Sequence, residues 1–213
     1  MILVATVGSI AGLKHEILQP DFGIDATQKR AQYMMKAKKE FQLHMPGTDK
    51  MLQSYAAECN AIFEKGPPKG KERWLEKARV SYENMLRRVT DIVRRSLIFD
   101  NFNDMCRALQ MIHESGIVII RIKNRFDRKN STAKDTGAYR DVQLLCFAVG
   151  TKMMFEVQLH LRCIHDLKEA NAEKVDAQGR TGHERYIEFR QIKETAVFDW
   201  EKTKAALLEI FGN

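Results

Sequence analysis

The chain has 213 residues, 44% hydrophobic and 30% charged, which suits a globular unit with a full core rather than a disordered or fibrous chain. A formal net charge of +7 favours polyanionic partners such as nucleotides, nucleic acid or an acidic membrane surface. No stretch approaches the roughly 20 apolar residues of a membrane span, and the four cysteines, Cys59, Cys106, Cys146 and Cys163, form no CxxC or Cys/His cluster. Those spacings point to core thiols in a reducing, cytoplasmic compartment and not to a disulfide or zinc framework.

The opening MILVATVGSIAGLK is apolar but has no basic residues before it, so it reads as a first strand or helix, or as the cut edge of a longer chain, rather than a signal peptide. From Thr27 to Leu43, Tyr33, Met34, Ala37 and Phe41 recur at helical spacing among lysines. Pro46 and Gly47 predict a break there. Thr48 is a fair N-cap for a second helix carrying Met51, Leu52, Tyr55, Ala56, Cys59 and Phe63. GPPKG, Gly66 to Gly70, is the strongest punctuation in the chain. A third helix is expected over roughly Glu72 to Arg88.

The pattern then changes. DIVRRSLIF (Asp91–Phe99) reads as a strand, NFNDMCRALQMIHES (Asn101–Ser115) as a helix, and GIVIIRIKNRF (Gly116–Phe126) as a strand running into basic residues. The segment 127–137 is polar. YRDVQLLCFAVG and TKMMFEVQL pair as a hairpin turning at Gly150 and Thr151. A long helix is expected from about His183 to Phe211. The expected architecture is α/β of the α+β kind: a mixed, largely antiparallel sheet of about five strands, flanked by N-terminal helices and a long C-terminal helix. Residues 1–65 form a helical extension packed as one unit with a domain over 66–213.

Within MMFEVQLHLR, Met153, Phe155, Val157 and Leu159 alternate as a core face, while Met154, Glu156, Gln158 and His160 fall opposite. A carboxylate inside such a strand faces water, a partner or a metal. Asp91 opens another strand, and two acidic residues on neighbouring strands are a common way to hold Mg²⁺, although structural ion pairs produce the same pattern. Arg121, Lys123 and Arg125 share one strand face opposite Ile120 and Ile122, extended by Arg128 and Lys129. A solvated face explains such a ladder, and so does a bound phosphate. Lys65, Lys69, Lys71, Arg73 and Lys77 flank GPPKG, where Lys69, Arg73 and Lys77 could converge on a helix N-terminus. Tyr139 fits either a stacking platform for a nucleobase or a cap on the core. The dipeptide His165-Asp166 lacks the further ligands of a metal-dependent hydrolase, and no thiol sits in the context a nucleophile needs.

The order PPKGKERWLEK, DIVRRSLIF, RIKNRF, GAYRDVQL, FEVQLHL resembles the RelA/SpoT-like (p)ppGpp synthetase domain, a nucleotidyltransferase-like family. Lys69 and Lys77 keep that family's spacing of a loop lysine and a helix lysine. Asp91 matches its strand-opening aspartate, Tyr139 and Arg140 its Tyr-Arg pair, and Glu156 and Gln158 its Glu-x-Gln strand. The resemblance covers roughly Gly66 to Arg190 and implies a divergent member. Gln143 stands where the family has histidine, His160-Leu161 where it has Arg-Thr, and Arg94 and Arg95 replace a Gly-x-Arg. These changes fall around the acceptor side. The resemblance implies an ATP pyrophosphokinase that uses Mg²⁺ held by Asp91 and Glu156, and binds ATP through Lys69, Arg73, Lys77, Arg95, Arg121, Lys123 and Arg125. Tyr139, Arg140 and Gln158 complete the nucleotide contacts. The favoured acceptor is GDP or GTP. An adenine nucleotide or tRNA, as in a toxin-like enzyme, and a silent nucleotide- or RNA-binding module remain alternatives.

Overall fold

The computed structural model describes residues 17–127, 139–172, 174–181 and 184. The expected helix over 183–211 and the basic pair Arg128-Lys129 lie outside the described residues. The chain divides into two compact units after Arg162.

The first unit is built on a five-stranded sheet. In chain order come α1 (Arg30–Glu58), β1 (Ile62–Lys65), α2 (Lys71–Ser81), a short 3₁₀ turn over Leu86–Arg88, β2 (Arg94–Phe99), α3 (Phe102–Glu114), β3 (Ile119–Asn124), β4 (Val142–Phe147) and β5 (Met154–Leu161). The strand order is β1-β2-β5-β4-β3. Only the central β2–β5 pair is parallel; β1–β2, β4–β5 and β3–β4 are antiparallel. This is the mixed, largely antiparallel sheet expected. In the second unit the described residues hold most of α4 (Arg162–Ala172) and an isolated bridge between Val175 and Thr181.

The register sorts the side chains, because directly paired residues share a sheet face. Arg94 pairs with Glu156, Glu156 with Leu145 and Leu145 with Arg121; Ser96, Gln158, Gln143 and Lys123 form the next row. The opposite face carries Leu97, Phe99, Val157, Leu159, Leu144 and Cys146, all buried. That apolar face is the core side: α1 packs on α3 and β1, and α3 also meets β2 and β5. α3 starts as its sequence dictates, with the Asn101 side chain accepting the Asp104 N–H at 2.9 Å.

Four expectations are corrected in the first part of the chain. α1 runs through Pro46 without a break. Its buried stripe, Phe41, Met45, Thr48, Asp49, Leu52 and Ala56, keeps helical spacing across the proline, so burial on the sheet outweighs the lost N–H. Thr48 is no N-cap; its Oγ1 accepts the Val149 N–H at 3.0 Å. The helix then stops at Glu58, Asn60 takes a left-handed conformation (φ 50°), and Ile62 and Phe63 belong to β1 instead of a helix. α2 is also shorter than expected, ending at Ser81 before Glu83 and Asn84 adopt φ of 51° and 66°.

Candidate active site

The site face is assembled around the segment entering β2. Thr90, Ile92 and Val93 are buried, which fixes Asp91 between them. The Gly-Pro-Pro-Lys-Gly loop lies along this segment: the Lys69 N–H donates to the Ile92 carbonyl at 2.8 Å. A Cβ on Gly66 would stand 3.3 Å from the Arg94 carbonyl oxygen, so the loop lies close enough to β2 that a side chain there would need the backbone to give by a few tenths of an ångström. Trp74 anchors the following helix, fully buried and donating through Nε1 to the Leu86 carbonyl at 3.2 Å.

This arrangement brings two lysines onto one carboxylate oxygen. Asp91 Oδ2 accepts from Lys77 Nζ at 2.7 Å and from Lys69 Nζ at 3.2 Å. Asp91 Oδ1 is buried and has no hydrogen-bond partner among the described residues. Burial pushes the Asp91 carboxyl up, but Lys77 and Lys69 outweigh it and hold the group below the ordinary carboxylate range. Lys69 is shifted down, chiefly by burial and further by Lys77 and Arg94, with Asp91 opposing.

Glu156 enters from the neighbouring strand. Its N–H donates to the Val93 carbonyl at 3.0 Å, and its Oε1 accepts from Gln158 Nε2 at 2.6 Å. Burial raises its pKa, and the nearby Asp91 charge raises it further against the pull of Gln158, Lys77 and Arg94. The two carboxyls therefore feel each other across the β2–β5 junction. Lys123 completes the group from β3: burial lowers its pKa, Arg121 and Arg125 add to this, and Glu156 opposes them.

The sequence-derived residues divide as follows. Asp91, Glu156, Lys69, Lys77, Lys123 and Gln158 form one connected electrostatic cluster. Arg121 shares the face two positions from Lys123 and is exposed. Arg125 is near enough to influence Lys123, yet its Nη1 is bound to the buried Asp141 at 2.5 Å, while its Nε is a buried donor with no partner among the described residues. Arg73 is exposed on α2 one turn before Lys77. Arg140 keeps a buried Nη1 without a partner among the described residues, and the Tyr139 hydroxyl shares a 2.8 Å hydrogen bond with His160 Nδ1.

Arg95 is not brought to this face. It pairs with Val157 on the core side, where α1 supplies Asp49: Nε to Oδ1 at 2.6 Å and Nη2 to Oδ2 at 3.1 Å. Lys65 meets the same carboxylate at 3.2 Å. Its neighbour Arg94 holds the place instead, paired with Glu156 and carrying a buried Nε with no partner among the described residues. Strand parity was the available signal: Arg94, in register with Glu156, had to share its face.

The donor set fits a magnesium ion. Asp91 and Glu156 offer hard carboxylate oxygens, one of them a buried Oδ1 with no partner among the described residues, and Mg²⁺ is usually held by one or two carboxylates plus substrate phosphates and water. No cluster of three or more Asp, Glu, His or Cys residues that could hold a metal ion occurs among the described residues. A cavity of about 460 Å³ lined by Leu18, Asp21, Met85 and Arg87, among others, contains none of these residues.

A mixed five-stranded α+β sheet with acidic residues at the junction of its central parallel pair defines a nucleotidyltransferase-like fold. Within that class the fold is that of the RelA/SpoT-like synthetases, here in a divergent sequence. The small alarmone synthetase 1 from Bacillus subtilis superposes with a TM-score of 0.51 at 13% identity, over 89% of this chain and 100% of that one. The type VI effector Tas1, solved in complex with its immunity protein, gives a TM-score of 0.50 at 18% identity over 84% of this chain and 96% of the other. No protein-family model matches the chain, and no curated protein matches it significantly. Among the described residues no helix is long and apolar enough to cross a membrane.

Proposed function

We propose that this chain is a Mg²⁺-dependent ATP pyrophosphokinase, transferring the β,γ-pyrophosphoryl group of ATP to a ribose hydroxyl of a second nucleotide. The observation that carries the reading is the carboxylate of Asp91, gripped on one oxygen by Lys69 and Lys77 and without a partner among the described residues on the other, beside Glu156. A buried acid flanked by cations suits a place where metal and phosphates complete the charge balance.

Lys69, Lys77, Arg94, Arg121 and Lys123 neutralise and orient the triphosphate. Asp91 and Glu156 would hold a magnesium ion, which would supply charge neutralisation for the bound phosphates. The acceptor hydroxyl oxygen attacks the β-phosphorus, the bond from that phosphorus to the α,β-bridging oxygen breaks, and AMP leaves. Glu156 takes the hydroxyl proton. Positioning and charge provide most of the acceleration.

GDP or GTP is the favoured acceptor. The fold shared with Tas1, whose structure contains an immunity protein, supports a second reading, a toxin-like enzyme acting on an adenine nucleotide or tRNA. Incubating the protein with γ-labelled ATP and Mg²⁺ plus GDP, GTP, ADP or tRNA decides between them. Label appearing in one acceptor with AMP release identifies the substrate; binding of ATP without turnover leaves a silent nucleotide-binding module.

A further inference from the structure

Gln19 stands before α1, outside the stretch that carries the site motifs, yet it is 1% exposed and engaged through both main chain and side chain. Its amide clasps the backbone of Met154: Nε2 donates to the carbonyl at 2.8 Å, and Oε1 accepts the N–H at 3.0 Å. Its own backbone clasps Arg87, donating to that carbonyl at 2.8 Å and accepting from Nε at 2.9 Å. Met154 opens β5 just ahead of Glu156, and Arg87 lies in the turn just ahead of Asp91. One residue thus ties together the two segments that deliver the two carboxyls.

The place it fills is a gap in the sheet. In the β2–β5 register Arg94 faces Glu156, so Ile92 would face Met154. β2 begins only at Arg94, however, and the Ile92 carbonyl is turned to the Lys69 N–H. Backbone groups two residues apart on a strand point to the same edge, so Met154 offers its N–H and C=O on the side where Glu156 donates to Val93. The Gln19 amide supplies the missing partners there. On one side of the gap the ladder bond from Glu156 to Val93 sets the spacing; on the other, Gln19 does. The clasped turn also holds the Leu86 carbonyl that receives Trp74 Nε1, which refers α2 and its Lys77 to the same anchor. Lys69, Lys77 and Gln158 fix each carboxyl to its own neighbours, whereas Gln19 joins the two supporting backbones.

We propose that Gln19 is a positioning residue for the transfer reaction: by bridging Met154 and Arg87 it sets the separation of the Asp91 and Glu156 carboxyls, and with it their fitness to share one divalent cation. This rests on the pyrophosphokinase reading and deepens it, bringing the segment before α1 into the active site. Groups that orient metal ligands without touching the metal commonly change metal affinity 10–100-fold when removed.

Gln19→Met keeps the length of the side chain and the main-chain bonds to Arg87, and removes both bonds to Met154. Thr48→Val is the matched control. It removes the Oγ1 that accepts the Val149 N–H, at the other end of the β4–β5 hairpin, away from the carboxyls. Each variant leaves backbone groups without a partner and should lower Tm by about 5 °C.

The test measures, by calorimetry, the affinity of each protein for a non-hydrolysable ATP analogue with and without Mg²⁺. Without metal, all three should agree within about twofold, because the lysines and arginines hold the triphosphate. Mg²⁺ should raise the affinity of the wild type and of Thr48→Val at least about tenfold, and that of Gln19→Met no more than about threefold. In steady-state assays at saturating Mg²⁺, Gln19→Met should lose about tenfold in kcat with the KM for ATP little changed. Hydrogen exchange should show the Met154 amide protected in the wild type and faster in Gln19→Met.

An undiminished Mg²⁺ effect in Gln19→Met, or an equal loss in Thr48→Val, reduces Gln19 to a stabilising residue and overturns the inference while leaving pyrophosphoryl transfer intact. A Met154 amide that exchanges freely in the wild type overturns it without any variant. Should Gln19→Met fail to fold, Gln19→Asn decides by the same readouts, since its amide is one methylene too short to keep both bonds. A wild type that binds the ATP analogue neither with nor without Mg²⁺ overturns the proposed function, and this inference with it.

Discussion

Asp91 and Glu156 meet at the junction of the central parallel strands, yet their surroundings push them in opposite directions. Lys77 and Lys69 overcome burial at Asp91 and keep it ionised; burial and the Asp91 charge draw Glu156 toward its protonated form. Asp91 therefore contributes stability above its unfolded pKa that is lost as pH falls through its lower folded value. Glu156 has the opposite sign: its contribution is present below the unfolded pKa and is lost as pH rises through the raised folded value.

Conservative amides at the two positions should thus behave differently. Asp91→Asn leaves two partly buried lysines without a counter-charge and should cost about 2 kcal/mol. Glu156→Gln removes a charge the fold holds at a cost, so its Tm at pH 8 should rise by about 2 °C relative to wild type, with the difference narrowing in acid. Both should lose transfer activity by at least about 100-fold. Urea titrations at pH 5 and pH 8, beside activity assays, check the pair; equal destabilisation by both would contradict the assignment.

Lys69 and Lys77 crowd the Asp91 carboxylate at Oδ2, next to the Oδ1 that a metal would take. Magnesium alone should therefore bind weakly, and a triphosphate should draw the lysines away and open the carboxylate. Calorimetry should show each ligand increasing the other's affinity by at least about tenfold, the reciprocity that linkage demands. Lys77→Ala should strengthen binding of Mg²⁺ alone and weaken binding of the ATP analogue.

Arg94 and Arg95 are adjacent in sequence and opposite in consequence. Arg94→Ala should raise the apparent KM for ATP about tenfold with little change in stability. Arg95→Ala leaves the buried Asp49 with only the largely exposed Lys65 of its two cations and should cost about 3 kcal/mol. Steady-state kinetics and chemical denaturation of the two variants separate these effects.

Pro46 is exposed and lies inside α1. Pro46→Ala restores a backbone donor and removes a clash with the preceding turn, so the variant should gain about 1 kcal/mol, read as a higher urea midpoint at unchanged slope.

Much of the sheet was legible because its signals are local. The alternation Phe155, Val157, Leu159 against Glu156 and Gln158, and the hairpin at Gly150, where φ is 72°, need only neighbouring residues to be read. Misreadings arose where distant contacts decide. Pro46 breaks most helices but not one whose flanking residues, Met45, Thr48 and Asp49, are all buried. Ile62 and Phe63 extend an apolar helical stripe as readily as they begin a short strand, and only pairing with Ile98 and Leu97 settles the matter. For Arg125 spacing left both a solvated face and a phosphate open and the resemblance implied ATP; what the sequence did not show is that Asp141, one place after the Tyr-Arg pair, holds its guanidinium. Its alternation was readable; its partner was not.

The bond broken in ATP is the most direct test of the account. With labelled ATP, Mg²⁺ and the acceptor found by screening, phosphorus NMR should show AMP forming in equal amount to a new diphosphate ester on the acceptor, and neither should appear with Asp91→Asn. Formation of ADP in place of AMP, or the same AMP yield from Asp91→Asn, would contradict it.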